Sequence, residues 1–371
     1  MPPLSIMIKP VSSACNMRCR YCFYADVSES RESYSLGRMS LQTLENTVRR
    51  AAACAEGSVS LAFQGGEPTL AGLDFYRALI ALEKKYGSNG LKFQNAIQTN
   101  GYDISDELLR FLVGEHFLIG VSVDGTAAIH DALRPDAAGR GSFARVEDTV
   151  DRLERLGAEF NILTVVSGPV AREGRSCFEA LSKYGYLQFI PCIDPFDGRP
   201  SDYSLSPEAY GAFLKTTFDA YYAAFCRGRP VSVRNFDNYL GILMGLPPEN
   251  CGQCGRCGQY FLIEADGGVY PCDFYVLDNW RIGNINDSSF FSLAKSPVGE
   301  EFRALSLLRR AECESCEWYG LCRGGCRRDR EPFENGLPGL NRWCESYKAL
   351  FEYAFPRMRE MAEAIRRKNA R

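Results

Sequence analysis

The feature that most constrains the fold is an alternation, in the first half of the chain, of short apolar stretches with stretches of helical periodicity. The apolar, β-rich stretches are 4–11, 59–63, 93–98, 118–123, 160–166 and 187–193. The stretches with helical period are 41–55, 73–86, 106–113, 143–156, 177–184 and, after the last strand, 207–225. Such alternation indicates right-handed βαβ units and a parallel sheet. Six units, where a closed barrel has eight, predict an α/β fold: a partial (β/α)6 TIM-like barrel.

Polar or glycine-rich segments follow five of the six predicted strands. These segments are 15–22, 64–69, 98–101, 122–125 and 192–195. Residues just after the strands line the active face of such barrels, so the segments should surround one pocket. Gly and Asp also simply make turns, which is the better interpretation for Gly101 and Gly125. A turn accounts less well for the Gln and the Glu that flank the paired glycines at 64–67.

Cys15, Cys19 and Cys22 form a C-x3-C-x2-C run after the first predicted strand. Thiolates are the standard ligands of iron–sulfur clusters, and three of them leave one iron of a four-iron cluster without a protein ligand. An open metal position is typical of a catalytic metal, whereas structural sites are closed. A zinc site, or three unrelated reduced thiols, is the alternative interpretation.

The composition is rich in cysteine and poor in histidine, with 16 and 2 residues, which favours thiolate ligands. The net charge of −3 gives no reason to expect nucleic-acid binding. We find no signal peptide and no stretch of the roughly 20 apolar residues that a membrane span needs. We therefore expect a cytoplasmic protein with no membrane contact, whose cysteines bind metal rather than form disulfides.

Nine of the 16 cysteines fall between Cys251 and Cys344, after a boundary rich in Gly, Pro and Asn. We therefore predict four parts: a barrel over 1–230, a linker over 231–250, a cysteine-rich domain over 251–345 and a C-terminal helix over 346–371. The C-x2-C-x5-C-x3-C run that starts at Cys313 does not fit the paired C-x2-C pattern of a zinc ribbon. A segment so dense in thiols is expected to need metal in order to fold.

The cysteine run, followed one βα unit later by Gly-Gly-Glu-Pro at 65–68, resembles the radical S-adenosylmethionine (SAM) enzymes. In that family the open iron chelates SAM, and the glycine-rich segment binds its ammonium group. Serine and arginine at matching positions hold the ribose or carboxylate, for which the arginine fork is suited. The resemblance implies that SAM is bound by Tyr21, Gly65, Gly66, Glu67, Ser122, Arg134 and Ile193.

The C-terminal cysteines resemble the SPASM extension of radical SAM peptide maturases, which carries two auxiliary 4Fe–4S clusters. The resemblance implies a first ligand set of Cys251, Cys257, Cys272 and Cys326 and a second set of Cys313, Cys316, Cys322 and Cys344. Cys254 could replace Cys251 or Cys257, although the wider spacing favours that pair. Together with the trio Cys15, Cys19 and Cys22, this makes three 4Fe–4S clusters, of which the two fully ligated ones should relay electrons. We expect most of the remaining cysteines to be small buried hydrophobes: Cys54, Cys177, Cys192, Cys226 and Cys254.

The runs 63–72, 270–275, 324–328 and 353–357 resemble the anaerobic sulfatase-maturing enzymes in particular, and the likeness covers essentially the whole chain. It implies that a 5′-deoxyadenosyl radical takes a hydrogen atom from Cβ of a Cys or Ser residue in a sulfatase, which becomes Cα-formylglycine. Asp273, at the end of a β-hairpin predicted over 261–272 with an Asp-Gly turn, is then the candidate base. Tyr24, Gln64 and Gln98 are candidate contacts to the substrate peptide.

The implied partners are a sulfatase polypeptide or peptide with a Cys/Ser-x-Pro/Ala-x-Arg motif and a flavodoxin- or ferredoxin-type electron donor, with the enzyme a monomer. Two other functions compete with this one. A related SPASM maturase would modify or crosslink a ribosomally made peptide and would not need Asp273 as the base. A non-catalytic scaffold would hold zinc in place of iron.

Overall fold

The computed structural model describes residues 3–87, 90–196, 198–199, 201–333 and 336–369. The ends of the predicted first domain and of the predicted C-terminal helix, residues 1–2 and 370–371, lie outside the described residues. Within the described part of the chain, every helix is too short or too polar to cross a lipid bilayer.

Six parallel strands form the centre of the fold, as predicted. They are β1 (Leu4–Ile8), β2 (Ser58–Phe63), β3 (Lys92–Thr99), β4 (Leu118–Ser122), β5 (Phe160–Val166) and β6 (Tyr186–Pro191). They pair in sequence order, each with the next, and all in parallel. This is the arrangement that successive βαβ units produce, so all six carboxyl ends meet at one edge of the sheet.

Helices connect these strands. They are α1 (Phe23–Glu29), α2 (Leu41–Cys54), α3 (Leu73–Tyr86), α4 (Asp106–Gly114), α5 (Ala127–Leu133), α6 (Phe143–Arg155), α7 (Gly168–Arg172) and α8 (Gly174–Leu181). Serine caps begin two of the long ones, where Ser40 accepts from the amide of Thr43 and Ser105 from that of Leu108. The short α1, α5 and α7 were not predicted, because seven residues or fewer show too little periodicity.

The second half of the chain contains α9 (Pro207–Cys226), β7 (Ser232–Val233), α10 (Arg234–Leu243), β8 (Phe261–Ile263), β9 (Gly268–Tyr270), β10 (Gly283–Asn284), α11 (Phe290–Ala294), α12 (Pro297–Leu307), α13 (Ala311–Glu314), α14 (Tyr319–Cys322) and α15 (Cys344–Asn369). The stretch predicted as a linker, 231–250, therefore includes a strand and a helix. The predicted domain boundaries themselves stay a prediction.

The predicted hairpin is present as β8 and β9, and it extends the barrel sheet. β8 pairs in parallel with β1, with Ile8 opposite Ile263, and β9 returns antiparallel to β8. At the other edge β7 pairs with β6, so a single sheet of ten strands runs in the order β10-β9-β8-β1-β2-β3-β4-β5-β6-β7. The hairpin thereby brings the end of β9, and the cysteine that follows it, to the active edge of the barrel.

Helices α9 and α15 pack together beside the sheet. The buried rings of Tyr210 and Trp343 lie 5.0 Å apart, and Ser346 donates a hydrogen bond to the carbonyl of Pro207 at 2.6 Å. α15 begins at Cys344, so the last cysteine of the chain is attached to the longest helix of the described residues.

Candidate active site

The cysteine trio lies on the loop between β1 and α1, and backbone hydrogen bonds hold this loop in place. The amides of Arg18 and Arg20 donate to the carbonyls of Pro135 and Leu133, each at 2.9 Å. Within the loop, the amide of Met17 donates to the Cys15 sulfur. The neighbouring barrel loops therefore fix the trio, which does not depend on its own short segment for shape.

Burial governs the chemistry of these thiols. It raises the pKa of Cys19 to about 12, against the opposing charge of Arg134. Burial also raises the pKa of Cys15, which receives hydrogen bonds from Met17 and Asn100. Such thiols are protonated near neutral pH until a metal displaces the protons, as expected for ligands that load with their cluster.

A cavity of about 190 Å³ opens beside the trio and collects every predicted SAM and substrate contact except Glu67. Its lining includes Cys15, Cys19, Tyr21, Cys22, Tyr24, Gln64, Gly65, Gly66, Gln98, Ser122, Arg134, Ile193 and Asp273. Asn100 and Phe274 also line it and were not singled out by sequence reasoning. The prediction of one pocket at the strand ends is thus confirmed.

Gly65 and Gly66 permit a close approach of three segments. Both have positive φ, +97° and +57°. A Cβ on Gly65 would overlap the aliphatic stem of Lys9, and one on Gly66 would overlap backbone oxygens of the cysteine loop. Only glycine fits at both positions. Without side chains, the backbone of Gly65 and Gly66 itself forms part of the cavity wall.

Glu67 departs from the prediction for its side chain. The residue is fully buried, and its carboxylate accepts four hydrogen bonds, from the amides of Thr69 and Asn100 and the hydroxyls of Thr69 and Thr99. The carboxylate does not line the cavity. Its hydrogen bonds connect the loop after β2 to the end of β3 and the loop that follows it. Only backbone groups of the 65–67 segment are therefore placed to contact a cofactor.

Arg134 and Tyr21 belong to a buried polar network that sequence reasoning did not find. The Tyr21 hydroxyl donates to Asp124 and accepts from Arg134 at 2.7 Å, and Arg134 lies 3.9 Å from the same carboxylate. Asp124 ends the segment after β4 and is fully buried. Its charge fixes the guanidinium at the cavity wall. A buried Asp after a strand was the available signal, but the same residue commonly makes a turn.

His130 supports this network as a neutral ring. Burial lowers the pKa of its imidazole to about 3. The Ser142 hydroxyl donates to the carbonyl of Arg134, so His130 donates from Nε2 to that hydroxyl and accepts at Nδ1 from the amide of Asp124. The ring thus joins the backbone of Asp124 to that of Arg134.

Asp273, which also lines the cavity, is linked to two of the predicted substrate contacts. Gln64 donates to the Tyr24 hydroxyl at 2.6 Å, and this hydroxyl donates to Asp273 Oδ2 at 2.8 Å. Oδ1 of the same carboxyl is buried and has no hydrogen-bond partner. Burial raises the pKa of Asp273 to about 6, although Tyr24 and the charge of Lys9 limit the rise. The third predicted contact, Gln98, donates instead to Ser122 at 3.2 Å.

A buried ion-pair cluster lies behind Tyr24. Lys9, directly after β1, and Arg31, after α1, both place a nitrogen 2.8 Å from Oε1 of Glu264, which follows β8. The Lys9 ammonium is also 5.2 Å from the centre of the Tyr24 ring. Burial alone would raise the pKa of Glu264, but the two cations hold it below its usual range. The cluster joins the barrel to the hairpin that carries Asp273.

A second cavity, of about 230 Å³, adjoins the first and is lined by the first predicted auxiliary set: Cys251, Cys257, Cys272 and Cys326. Cys254 does not line it, and its thiol turns to the carbonyls of Pro248 and Asn250. Among the described residues, no three His, Cys, Asp or Glu side chains converge as a single-ion site. Cys322, of the second predicted set, lines this cavity as well, so five thiols surround it. Several thiols around one cavity suit a multi-iron cluster, and the lining supports the original choice of Cys251 and Cys257 over Cys254.

The second predicted set is also brought together. Burial, together with the smaller effect of the neighbouring thiols Cys344, Cys313 and Cys316, raises the pKa of Cys322 to about 12. None of the 16 cysteines, all of which lie among the described residues, forms a disulfide. Of the five cysteines left unassigned, Cys54, Cys177 and Cys192 are buried, Cys254 is half-buried and Cys226 is exposed.

Comparison with known proteins agrees with this geometry. Residues 10–173 match the family model of the radical SAM superfamily, and residues 250–323 match that of an iron–sulfur cluster-binding domain, SPASM. The cysteine-type anaerobic sulfatase-maturating enzyme of Clostridium perfringens is 44% identical over 370 residues, which cover 99% of this chain and 100% of the relative. This chain belongs to the anaerobic sulfatase-maturating enzymes.

Two further relatives support the assignment to this family. The corresponding enzyme of Clostridium novyi is 45% identical, over 98% of this chain and 99% of the relative. A solved structure described as native anSMEcpe with bound AdoMet and Cp18Cys peptide has a TM-score of 0.93 at 44% identity, covering 98% of this chain and 100% of that one. The predicted family, fold class, enzyme class and iron–sulfur radical SAM cofactor chemistry are therefore confirmed. The roles of individual site residues stay predictions.

Proposed function

We propose that this enzyme oxidises a cysteine residue of a sulfatase polypeptide to Cα-formylglycine, with Asp273 as the base. The observation that carries the proposal is the Gln64–Tyr24–Asp273 chain of hydrogen bonds, which lies in the cavity between the cysteine trio and the first auxiliary set. The cysteine-type name of the 44%-identical relative supports cysteine over serine as the target.

The residues of the first cavity fit the cofactor that the family uses. Three thiols leave one iron open, the backbone at Gly65 and Gly66 is accessible, and Arg134 offers a fixed cation for a carboxylate. We assign Tyr21, Ser122 and Ile193 to the same cofactor. When bound there, SAM and its cluster supply a 5′-deoxyadenosyl radical that removes one hydrogen atom from Cβ of the target residue.

Asp273 is suited to take the second hydrogen as a proton. Tyr24 occupies Oδ2, so the unpartnered Oδ1 is the atom that can accept the thiol proton. With a pKa of about 6, the carboxyl is mainly ionised above pH 7. The Tyr24 hydrogen bond also fixes the orientation of the carboxylate, which is what positions a base.

Oxidation of the cysteine side chain releases one electron in addition to a hydrogen atom and a proton. Loss of a hydrogen atom from Cβ, a proton from sulfur and one electron converts the cysteine side chain to a thioaldehyde. Water then replaces sulfur by oxygen, releasing hydrogen sulfide and leaving the aldehyde. Asp273 directly follows Cys272 of the first auxiliary set, so the proton and the electron can leave the substrate at the same wall. The second set, Cys313, Cys316, Cys322 and Cys344, would carry the electron onward.

The proposal also includes the sequence motif of the substrate and the electron donor of the enzyme. We propose a substrate with a Cys-x-Pro-x-Arg motif and a flavodoxin- or ferredoxin-type donor for the electron that SAM cleavage consumes. A monomeric state and a cytoplasmic location also stay predictions.

The test compares two peptides that differ in one atom. Reduced enzyme and SAM are incubated with a Cys-x-Pro-x-Arg peptide and with its Ser counterpart, and products are read by mass. We expect the Cys peptide to lose two hydrogens and exchange sulfur for oxygen faster than the Ser peptide loses two hydrogens. A product that keeps its sulfur would favour a crosslinking maturase and would reject the proposal.

The metal content tests the cluster assignment separately. About twelve irons per chain, with matching sulfide, are expected for three 4Fe–4S clusters in anaerobically purified enzyme. Stoichiometric zinc without charge-transfer absorption would support the scaffold alternative instead.

A further inference from the structure

Arg327 is a buried cation enclosed by aromatic rings. Its guanidinium carbon lies 4.1 Å from the centre of the Phe302 ring, 4.7 Å from Trp280, 4.9 Å from Tyr275 and 5.1 Å from Phe333. The residue is 4% exposed, and it donates one hydrogen bond, from Nη1 to the carbonyl of Phe302 at 3.0 Å. Aromatic faces attract a cation most strongly where water is excluded.

Arg327 lies next to the first auxiliary set of cysteines. Arg327 directly follows Cys326 and lines the 230 Å³ cavity together with that set of cysteines. The guanidinium therefore lies beside the predicted cluster ligands without being a ligand itself.

The nearest carboxylate does not cancel this charge. Glu331 Oε1 lies 4.0 Å from Arg327 Nε, but that side chain is 28% exposed and also accepts a hydrogen bond from the Tyr275 hydroxyl at 2.7 Å. Asp329, which lines the same cavity, accepts a hydrogen bond from the Trp343 indole at 3.2 Å. Water screens the acidic partner more than it screens the caged cation.

A packing role alone does not require this residue. An apolar side chain of similar length would fill the space between the rings without the cost of desolvating a charge. The hydrogen bond that Arg327 donates to the carbonyl of Phe302 and the four rings offset that cost. The buried charge therefore indicates a function beyond packing, and the predicted cluster ligands that line the same cavity provide one.

We propose that Arg327 raises the reduction potential of the first auxiliary cluster and so makes it a better acceptor for the electron that leaves the substrate. The inference rests on the proposed function for its role in catalysis. A 4Fe–4S cluster becomes more negative on reduction, and nearby charge and solvent exclusion are among the terms that set its potential. A positive charge held close to it in a poorly solvated cage stabilises the reduced state.

The test measures the potential without turnover. In a background in which Cys15, Cys19 and Cys22 are all replaced by Ala, only the two auxiliary clusters remain, and each is titrated by electron paramagnetic resonance. We expect Arg327→Met to lower one of the two potentials by a tenfold or larger change in the one-electron equilibrium, about 59 mV per tenfold. The other potential serves as the internal control.

Two further variants separate charge from packing. Arg327→Lys keeps the charge and should keep most of the potential, whereas Phe302→Leu opens the cage to water and should lower it by a smaller amount than Arg327→Met. Equal potentials in wild type and Arg327→Met, or an equal loss in the Lys and Met variants, would overturn the inference. If Arg327→Met fails to assemble its clusters, an unchanged potential in Phe302→Leu would reject it.

The outcome is distinguishable from failure of the proposed function. With the cysteine trio intact, Arg327→Met should give less formylglycine per 5′-deoxyadenosine than wild type. If wild-type enzyme makes no formylglycine but the potential shift is present, the functional proposal fails and Arg327 still sets the potential. If formylglycine forms and the potential does not respond, only the role of Arg327 is wrong.

Discussion

The barrel and the cysteine-rich domain hold their cysteines in different ways. In the barrel, the trio sits on a loop bonded to the carbonyls of Leu133 and Pro135, beside a regular parallel sheet. In the cysteine-rich domain, most cysteines lie on loops, on single turns or in four-residue helices such as α13 and α14. Helices that short are not stable by themselves. The barrel should therefore keep its shape without metal, whereas the cysteine-rich domain should depend on its clusters.

Removing one ligand on each side gives the largest expected effect. Cys15→Ala should abolish 5′-deoxyadenosine formation and leave the fold intact, because the barrel sheet does not need the trio. Cys326→Ala should also abolish formylglycine formation, but it should expose the cysteine-rich domain to protease. Limited proteolysis with mass mapping distinguishes the two. Equal protease resistance of both variants would show that the two regions do not differ in their dependence on metal.

Asp273→Asn tests the junction of the two regions. We expect formylglycine formation to fall by about 100-fold or more, since general base catalysis typically contributes 10²–10⁴. The 5′-deoxyadenosine yield should stay close to that of wild type, because we assign SAM binding to other residues of the cavity. Asp278→Asn, the same chemical change five residues later on an exposed side chain, is the matched control. A full product yield from Asp273→Asn would remove the base assignment.

Lys9→Met and Arg31→Met test the ion-pair cluster that joins the regions. Each change removes one of two cations from the buried Glu264, so each should destabilise the enzyme by about 3 kcal/mol. Only Lys9 lies against Tyr24, so only Lys9→Met should also lower formylglycine per 5′-deoxyadenosine. Thermal unfolding and product ratios are measured in parallel. Equal product ratios in the two variants would assign Lys9 a stabilising role only.

Glu83→Gln gives the smallest effect and concerns the barrel alone. Burial raises the pKa of Glu83 in α3 to about 7, and Asn95 partly offsets this. The folded state therefore binds the proton more tightly, so the contribution of Glu83 to stability is greatest below about pH 4.5 and is lost as pH rises through about 7. The variant should lose this dependence and be about 1–3 kcal/mol more stable at pH 8.

The measurement for Glu83 is the midpoint of thermal unfolding by circular dichroism at pH 5 and pH 8. The residue lies far from the cysteines in the chain, so the iron content should be the same in both proteins. A parallel pH dependence in wild type and variant would show that Glu83 is not the titrating group.

Local patterns predicted the strands well, because apolar runs bounded by turns report directly on burial. Five predicted strands end within two residues of the observed ones; the first was predicted to Val11 and ends at Ile8. The hairpin at 261–272 was also predicted, from its Asp-Gly turn. What the pattern could not show is that β8 pairs with β1, since nothing in either strand specifies a partner more than 250 residues away.

Site residues that belong to a sequence motif were predicted. Site residues whose role depends on contacts in the folded chain were missed. Cys15, Gly65 and Arg134 were found by motif. Asp124 and His130 were not, because a turn Asp and a buried His look ordinary until their hydrogen bonds are seen. The Glu67 carboxylate was predicted at the cofactor, but four donors from neighbouring loops hold it elsewhere.

The sequence by itself determined the βα alternation, the open cysteine trio and the thiol-rich second domain, because spacing and residue type are local properties. Tertiary structure alone decided that Asp273 faces Tyr24, that Lys9 and Arg31 share Glu264, and that Arg327 lies in an aromatic cage. Each of these joins residues far apart in the chain. Their energies depend on burial and distance, which arise only when the chain has folded.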